Sequence, residues 1–365
     1  AMEMALLKAN DIEHGPIECV FTRDEETGLT GAFEMKPGFM TGDYLINLDS
    51  EDEGQLFVSC AGGVRTEATY TVDEEKLPEG FSTFNLVVKG LTGGHSGDDI
   101  NKKRANANKL LVRFLWEQSE KTDLRLCDIQ AGGLHNAIPR EAHATVAVPT
   151  AYVATFGEEL QAFVEKVRDE FSATEPELTA VIEPVAAAPT CICKEQAERL
   201  LKSLSVVHNG IFAMSQDLEG LVETSSNLAS VRKHGNQIVA TTSQRSSVAS
   251  NLEYVASVVR SAFELGGAKC VTNEGYPGWK MNPKSEILKV CVDSYKRLFG
   301  KEPLVRAIHA GLECGLFSEK YPHLDMVSFG PTLRGVHSPD ERLLIPTVQM
   351  VWDHLLDVLK NVPEK

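Results

Sequence analysis

The sequence has no long hydrophobic run and no cysteine pair with the spacing of a redox or zinc motif. No stretch approaches the roughly 18 consecutive apolar residues that a transmembrane helix needs, so we expect no membrane partner. Of the eight cysteines, only Cys191 and Cys193 are close, as C-I-C instead of C-x-x-C. Residues 1–10 also lack the basic flank and apolar core of a signal peptide. We therefore expect reduced thiols and a cytoplasmic protein.

Positive charge is also scarce. The 36 lysines and arginines are outnumbered by 52 aspartates and glutamates, which gives a formal net charge of −16 at pH 7. Most of such a surface repels an extended phosphate backbone, so we expect no nucleic-acid partner.

The length and the pattern of apolar residues predict two domains. A chain of 365 residues exceeds one compact core. Near both ends, mostly apolar strand segments alternate with helices, which is typical of a largely parallel sheet. In between, strands alternate apolar and polar side chains, as in sheets that are solvated on one face. We therefore predict an α/β domain with a mostly parallel sheet, residues 1–63 and 276–365, interrupted by an α+β domain of two ferredoxin-like lobes, residues 64–275.

Acidic and imidazole side chains follow three of the predicted strands. Asp24, Glu25 and Glu26 come directly after the predicted strand 17–23. Asp49 closes a second apolar strand, and His337 follows a third. Two carboxylates and an imidazole suit zinc, and a neighbouring carboxylate suits a general base. Each signal alone also fits a solvated loop or a helix cap, so the pattern leaves both interpretations open.

A second set of polar residues lies in the predicted insertion. His95 is on the Gly-rich turn G-L-T-G-G-H-S-G, between a predicted strand and a predicted helix. His135, Asn136 and Arg140 share the polar loop A-G-G-L-H-N-A-I-P-R. Arg245, in T-T-S-Q-R-S-S, has the side chain that suits a bidentate grip on a carboxylate. A tight turn and a solvated surface arginine are the plain alternatives.

Together these segments resemble a known family. Four of them are similar to motifs of certain zinc metallopeptidases: D-E-E-T-G, G-G-H-S-G, G-G-x-x-N-A-I-P and H-S-P-D-E. The spacing of 23 residues from Glu26 to Asp49 is similar as well. That family includes aminoacylases, glutamate carboxypeptidases and dipeptidases. The amino-acid sequence of these motifs is most similar to that of the bacterial aminoacyl-histidine (Xaa-His, carnosine-type) dipeptidases. The resemblance covers essentially the whole chain.

The resemblance implies roles for residues on the metal side of the site. Glu25 resembles the general base that activates the attacking water. Glu26 and His337 resemble ligands of one zinc ion, and Asp49 resembles a ligand of the other. Manganese or cobalt would also suit such ligands.

It also implies roles on the substrate side. His95 resembles the residue that polarises the scissile carbonyl, supplied by an insertion that acts as a lid. Asn136 and Arg245 resemble the grip on the C-terminal part of the substrate. Gly311, in H-A-G-L-E-C-G, matches a position where backbone lines the substrate pocket.

One part of the family pattern has no counterpart. The family places an H-x-D strand motif and a zinc-bridging aspartate upstream of the E-E pair, and residues 1–24 contain neither. We therefore expect the latter three quarters of a longer enzyme, inactive as this piece alone.

The function expected from the resemblance is zinc-dependent hydrolysis of dipeptides, with Xaa-His dipeptides as substrates. A carboxypeptidase or N-acyl amino-acid deacylase of the same family stays open, as does a non-catalytic peptide-binding pseudo-enzyme. The assembly is open too. A homodimer is one arrangement, and a doubled insertion that supplies lid contacts within one chain is another.

Overall fold

The structure, a computed structural model, describes residues 1–25, 29–216, 218–334 and 341–363. Its strands are β1 Tyr44–Asn47, β2 Gln55–Cys60, β3 Gly62–Thr71, β4 Glu74–Lys76, β5 Phe81–Lys89, β6 Gly94–His95, β7 Arg125–Gly132, β8 Ala137–Ile138, β9 Ala142–Pro149, β10 Thr179–Pro184, β11 Thr190–Ile192, β12 Gly210–Met214, β13 Val222–His234, β14 Gln237–Ser246, β15 Lys269–Thr272, β16 Leu304–Ile308, β17 Asp325–Ser328, β18 Leu333–Arg334 and β19 Arg342–Leu343.

The α-helices are α1 Met2–Lys8, α2 Thr30–Glu34, α3 Ala107–Ser119, α4 Val153–Glu170, α5 Lys194–Val206, α6 Ala249–Leu265, α7 Glu286–Phe299, α8 Glu313–Lys320 and α9 Ile345–Asn361. Short 3-10 turns cover Ile100–Lys102 and Thr150–Tyr152. Within the described part of the chain, no helix is long and apolar enough to cross a membrane.

The chain divides into two compact units. Unit 1 contains residues 1–62, 216–221 and 276–365, and unit 2 contains residues 63–215 and 222–275. The assignment of these parts as a catalytic domain and a lid stays a prediction.

Unit 1 is built on a four-stranded sheet in the order β1-β17-β2-β16. β1 pairs with β17 in parallel, and β2 pairs with β16 in parallel. A single antiparallel residue pair joins β17 to β2. The expected mostly parallel sheet is therefore present. Helices α7 and α9 cover it and bury Leu56, Val58 and Val327 against Ile287 and Val351.

One expected strand is absent. Residues 17–23 belong to no helix or strand, and no strand among the described residues pairs with them. The apolar pattern of I-E-C-V-F indicates which side chains are suited to burial, but a strand also requires a neighbouring strand with which its backbone forms hydrogen bonds. The side chain of Glu18 accepts bonds from the backbone and hydroxyl of Thr41 (2.8 and 2.6 Å), so side-chain contacts help to hold this segment.

Unit 2 contains two nested lobes with the same order of elements. Lobe 1 runs β5, α3, β7, β9, α4 and β10, with the strand order β10-β5-β9-β7. Lobe 2 runs β3, α5, β13, β14, α6 and β15, with the strand order β13-β14-β3-β15. Both are β-α-β-β-α-β arrangements of the ferredoxin-like type. Lobe 1 is inserted in lobe 2 between β3 and α5.

The two lobes join edge to edge in one nine-stranded sheet. β7 of lobe 1 pairs antiparallel with β13 of lobe 2, from Ser230–Gly132 to Arg232–Gln130. The four helices share one hydrophobic core with the sheet, centred on Phe114, Phe156 and Phe263. The sequence predicts two lobes stacked on each other, but they lie side by side, because the edge strand of each lobe completes the ladder of the other.

Candidate active site

The Gly-rich turn that carries His95 is held by backbone pairing and by one ion pair. β6 pairs with β8, so that His95 lies opposite Ala137. The backbone amide of His95 donates to the Asp99 carboxylate at 2.8 Å, and that of Ser96 donates to the Asn136 carbonyl at 2.8 Å. The backbone positions of His95 and Asn136 are thereby linked.

The glycine before His95 leaves room for a half-buried ion pair between Arg104 and Asp99. The guanidinium of Arg104 lies 3.2 Å from Asp99 and donates to the carbonyl of Gly93 at 2.5 Å. Gly94 has φ +140°, and a Cβ there would lie 2.2 Å from Arg104 Nη1. A larger residue at Gly94 would therefore displace the pair that fixes the turn.

The imidazole of His95 has contacts at both nitrogens. Nδ1 accepts from the amides of Gly97 (3.3 Å) and Asp98 (3.2 Å), and the Asp98 carboxylate lies 3.4 Å from it. The amides suit a neutral ring with its proton on Nε2, whereas the carboxylate suits a ring with a proton on Nδ1. With the proton on Nε2 the ring can donate a hydrogen bond to a ligand, and with the proton on Nδ1 alone Nε2 can accept from Arg245. The contact with His95, together with the charge of Arg245, lowers the pKa of Asp98.

Arg245 is a buried residue of the sheet. β14 extends to Ser246, so Arg245 lies on this strand, opposite Ser225. It is 7% exposed, which contradicts the alternative of a solvated surface arginine. Its Nη2 lies 3.5 Å from Nε2 of His95. The structure thus brings together two of the predicted site residues, and an acceptor oxygen beside them would meet the Arg245 guanidinium and, in the Nε2–H tautomer, a second donor from His95.

The loop 133–136 lies near the positively charged guanidinium of Arg245. Burial, then the charges of Arg65 and Arg245, lower the pKa of His135. Asn136 is half-buried and linked to the His95 turn through its carbonyl. Arg140 is exposed, but its aliphatic stem packs where a Cβ on Gly93 would lie, 2.2 Å from its Cγ.

On the side of unit 1, the described residues include Glu25, Asp49 and Gly311. Asp49 follows β1 by two residues, and its amide donates to the Asn47 side chain at 3.2 Å. A Cβ on Gly311 would lie 2.7 Å from the ring of Tyr276, so this position requires glycine. The two other predicted ligands, Glu26 and His337, lie outside the described residues. Among the residues that are described, no group of three or more His, Cys, Asp or Glu is arranged to hold a metal ion.

The structure adds a carboxylate that the sequence did not single out. Glu313, at the start of α8, is 9% exposed. Burial raises its pKa, a hydrogen bond with Thr22 opposes this, and the negative charge of Asp49 raises it further. Its only sequence signal is its place in H-A-G-L-E-C-G, two residues after Gly311. Asp98 and Asp99 were also missed as partners of His95, although they directly follow the glycine turn.

Comparison with known proteins identifies the family. A family model described as a peptidase dimerisation domain matches residues 79–178. The chain is 40% identical, over all 365 residues and 75% of the relative, to a cytosol non-specific dipeptidase of Escherichia coli (strain K12).

Solved structures agree with this. The aminoacylhistidine dipeptidase of Vibrio alginolyticus superposes with a TM-score of 0.95 at 41% identity, over 100% of this chain and 74% of that one. An aminopeptidase of Bacillus cereus, 13% identical with a TM-score of 0.52 over 98% of this chain and 67% of that one, shares the fold alone. The two relatives that are 40% and 41% identical are covered over 75% and 74% of their length. The chain therefore belongs to the M20 family of metallopeptidases, a family of metal-dependent hydrolases.

Proposed function

We propose that the protein hydrolyses dipeptides, with Xaa-His dipeptides such as β-alanyl-histidine among its preferred substrates. The observation that carries the proposal is the pairing of buried Arg245 with His95. It occurs in a chain that is 40% and 41% identical to two proteins named as dipeptidases. The name of one of them, aminoacylhistidine dipeptidase, supports the narrower substrate class.

The metal of the proposed site is zinc. Glu26, Asp49 and His337 would hold it, since mixed carboxylate and imidazole ligands suit zinc and also accept manganese or cobalt. One feature of the described residues fits a cation. Burial and the nearby Asp49 charge both disfavour ionised Glu313, and a bound cation would offset that cost. When bound, the metal supplies Lewis acidity and lowers the pKa of water.

The residues of the chain itself would perform the remaining tasks. Glu25 accepts the proton of the attacking water. His95 donates from Nε2 to the carbonyl oxygen of the scissile bond as negative charge develops there. Arg245 binds the terminal carboxylate, with Asn136 beside it, and Gly311 leaves space along the substrate. Residues 63–215 and 222–275 would then act as the lid.

We further propose a cytoplasmic protein that forms a homodimer. The relative in Escherichia coli, a cytosol non-specific dipeptidase, supports this location. The match to a dimerisation domain supports the assembly. Because β7 inside the matched segment is already paired with β13 of the same chain, the partner would have to bind another surface.

A substrate panel tests the proposal. The full-length protein, loaded with zinc, is assayed on β-alanyl-histidine, on dipeptides without histidine, on N-acetyl amino acids and on N-blocked peptides. We expect cleavage of free dipeptides, with Xaa-His the best substrates. Cleavage confined to N-acetyl amino acids or to N-blocked peptides would make it a deacylase or a carboxypeptidase instead. Binding without turnover would make it a pseudo-enzyme.

A further inference from the structure

A buried asparagine of lobe 2 contacts the strand that links the two site residues of lobe 1. Asn227, on β13, is 1% exposed. Its amide nitrogen donates to the carbonyl of Ala137 at 2.8 Å. Ala137 follows Asn136 directly and lies opposite His95 in the pairing of β6 with β8. One side-chain amide therefore holds Ala137, the residue that pairs with His95 and follows Asn136 in the chain.

Asn227 is itself fixed by a buried network. Its Oδ1 accepts from the amide of Asn106 at 3.2 Å, and the same amide also reaches Asn209 Oδ1 (2.9 Å) and the Leu228 carbonyl (3.0 Å). Asn106 also caps α3, because its Oδ1 accepts from the backbone amides at the start of that helix. Because Oδ1 of Asn227 accepts from Asn106, the side-chain amide is fixed in one orientation, with its nitrogen directed at the carbonyl of Ala137. All these hydrogen bonds lie within unit 2.

The same stretch of β13 also borders the strand of Arg245. Ser225, two residues before Asn227, lies opposite Arg245 on β14. β13 therefore pairs with β14, the strand of Arg245, and it also contains Asn227, whose side-chain amide holds β8. β6 and β8 contain two residues each, so this ladder has little strength of its own.

We propose that Asn227 is a positioning residue for the reaction. It holds the Ala137 carbonyl and, through it, keeps His95 and Asn136 in place relative to Arg245. The proposal rests on the proposed function for its catalytic part. It assigns to lobe 2 a task beyond supplying Arg245, because lobe 2 also aligns the donors of lobe 1.

The first test measures position without substrate. In the full-length protein, Asn227→Ala should accelerate amide hydrogen exchange in peptides that cover residues 93–99 and 134–140. Asn209→Ala is the matched control, because it removes another bond of the same network and has no bond to Ala137. If exchange in the two segments is unchanged, or if the control accelerates it equally, the proposal is overturned.

The second test measures coupling to His95. Misplacing a catalytic group by about 1 Å can cost 10²-fold, so Asn227→Ala should lower kcat/KM roughly 10- to 100-fold. In a His95→Ala background the same change should lower kcat much less, because the group it positions is gone. Equal losses in both backgrounds would mean that Asn227 acts on stability alone.

Two outcomes remain to be separated. If Asn227→Ala does not fold, Asn227→Asp keeps the acceptor for Asn106 and removes the amide donor, and the same two measurements apply to it. If the wild-type protein cleaves no dipeptide, the proposed function fails. The exchange experiment then decides separately whether Asn227 holds the turn.

Discussion

At the scale of single residues, the main feature is a concentration of donors around one point of unit 2. The guanidinium of Arg245 and the imidazole of His95 approach to 3.5 Å, although both nitrogens can carry protons. The carboxylate of Asp98 lies 3.4 Å from Nδ1 of the same imidazole, and its contact with His95 and the charge of Arg245 lower its pKa. The arrangement is suited to a ligand oxygen that accepts from both donors.

Arg245 should matter most when the substrate has a free carboxylate. A charge-assisted contact is worth about 1.5–3 kcal/mol, so Arg245→Ala should lower kcat/KM on free dipeptides by roughly 10- to 100-fold. On the matching dipeptide amide, which lacks that charge, the loss should be much smaller. Arg245→Lys is the control that keeps the positive charge. Equal losses on acid and amide would make Arg245 structural, and Asn136 and Arg140 would be the next candidates.

Glu25 and Glu26 are adjacent but should fail in different ways. If Glu25 is the base, Glu25→Gln should lower kcat by roughly 10²-fold or more. Its zinc content should stay near that of the wild type, because Glu26 is the proposed ligand. Steady-state kinetics and metal analysis on the same preparations measure both quantities. Loss of metal in Glu25→Gln, with metal retained in Glu26→Gln, would exchange the two roles.

At the scale of elements, helix α5 ends against a lysine of α3. The ammonium of Lys109 donates to the carbonyls of Leu204, Ser205 and Val207 at 2.7–3.0 Å. The last carbonyls of a helix have no partner within the helix, so this side chain satisfies them and joins the two lobes. Lys109 therefore contributes to the same lobe junction as the β7–β13 pairing.

Removing this contact should destabilise unit 2. Lys109→Met keeps the apolar stem but leaves three carbonyls without their donor, which should cost about 2–3 kcal/mol of unfolding free energy. Lys166→Met is the matched control, since Lys166 is 55% exposed and 3.9 Å from Glu117. Its cost should stay below about 0.5 kcal/mol. Urea unfolding followed by circular dichroism measures both, and equal costs would argue against the role of Lys109.

At the scale of the whole molecule, the number of metal ligands limits what residues 1–365 can bind. Of the family's ligand set, the sequence matches Glu26, Asp49 and His337 alone. Residues 1–365 should therefore hold at most one weakly bound metal ion. Metal analysis after dialysis tests this, with Asp49→Asn as the variant that should lose the remaining ion. Two tightly held zinc ions per chain would contradict the prediction.

The fold class and most elements were predictable from local pattern. The alternation of apolar and polar residues located β5, β9 and β10, and helical spacing located α3 and α9, because both signals arise within one element. The glycines around His95 were also visible, since a tight turn imposes its own residue types. Glu26 and His337 lie outside the described residues, so their roles stay predictions.

The sequence by itself determined the family and the fold class, because motifs and periodicity are local properties of the chain, and it predicts which side chains carry chemistry. Tertiary structure alone decided that residues 17–23 form no strand and that Arg245 is buried. It also decided that β7 pairs with β13 and that Asn227 holds Ala137. Each of these depends on partners far away in sequence. Backbone pairing, burial and buried amide contacts are set by which distant segments meet, and no local pattern encodes that choice.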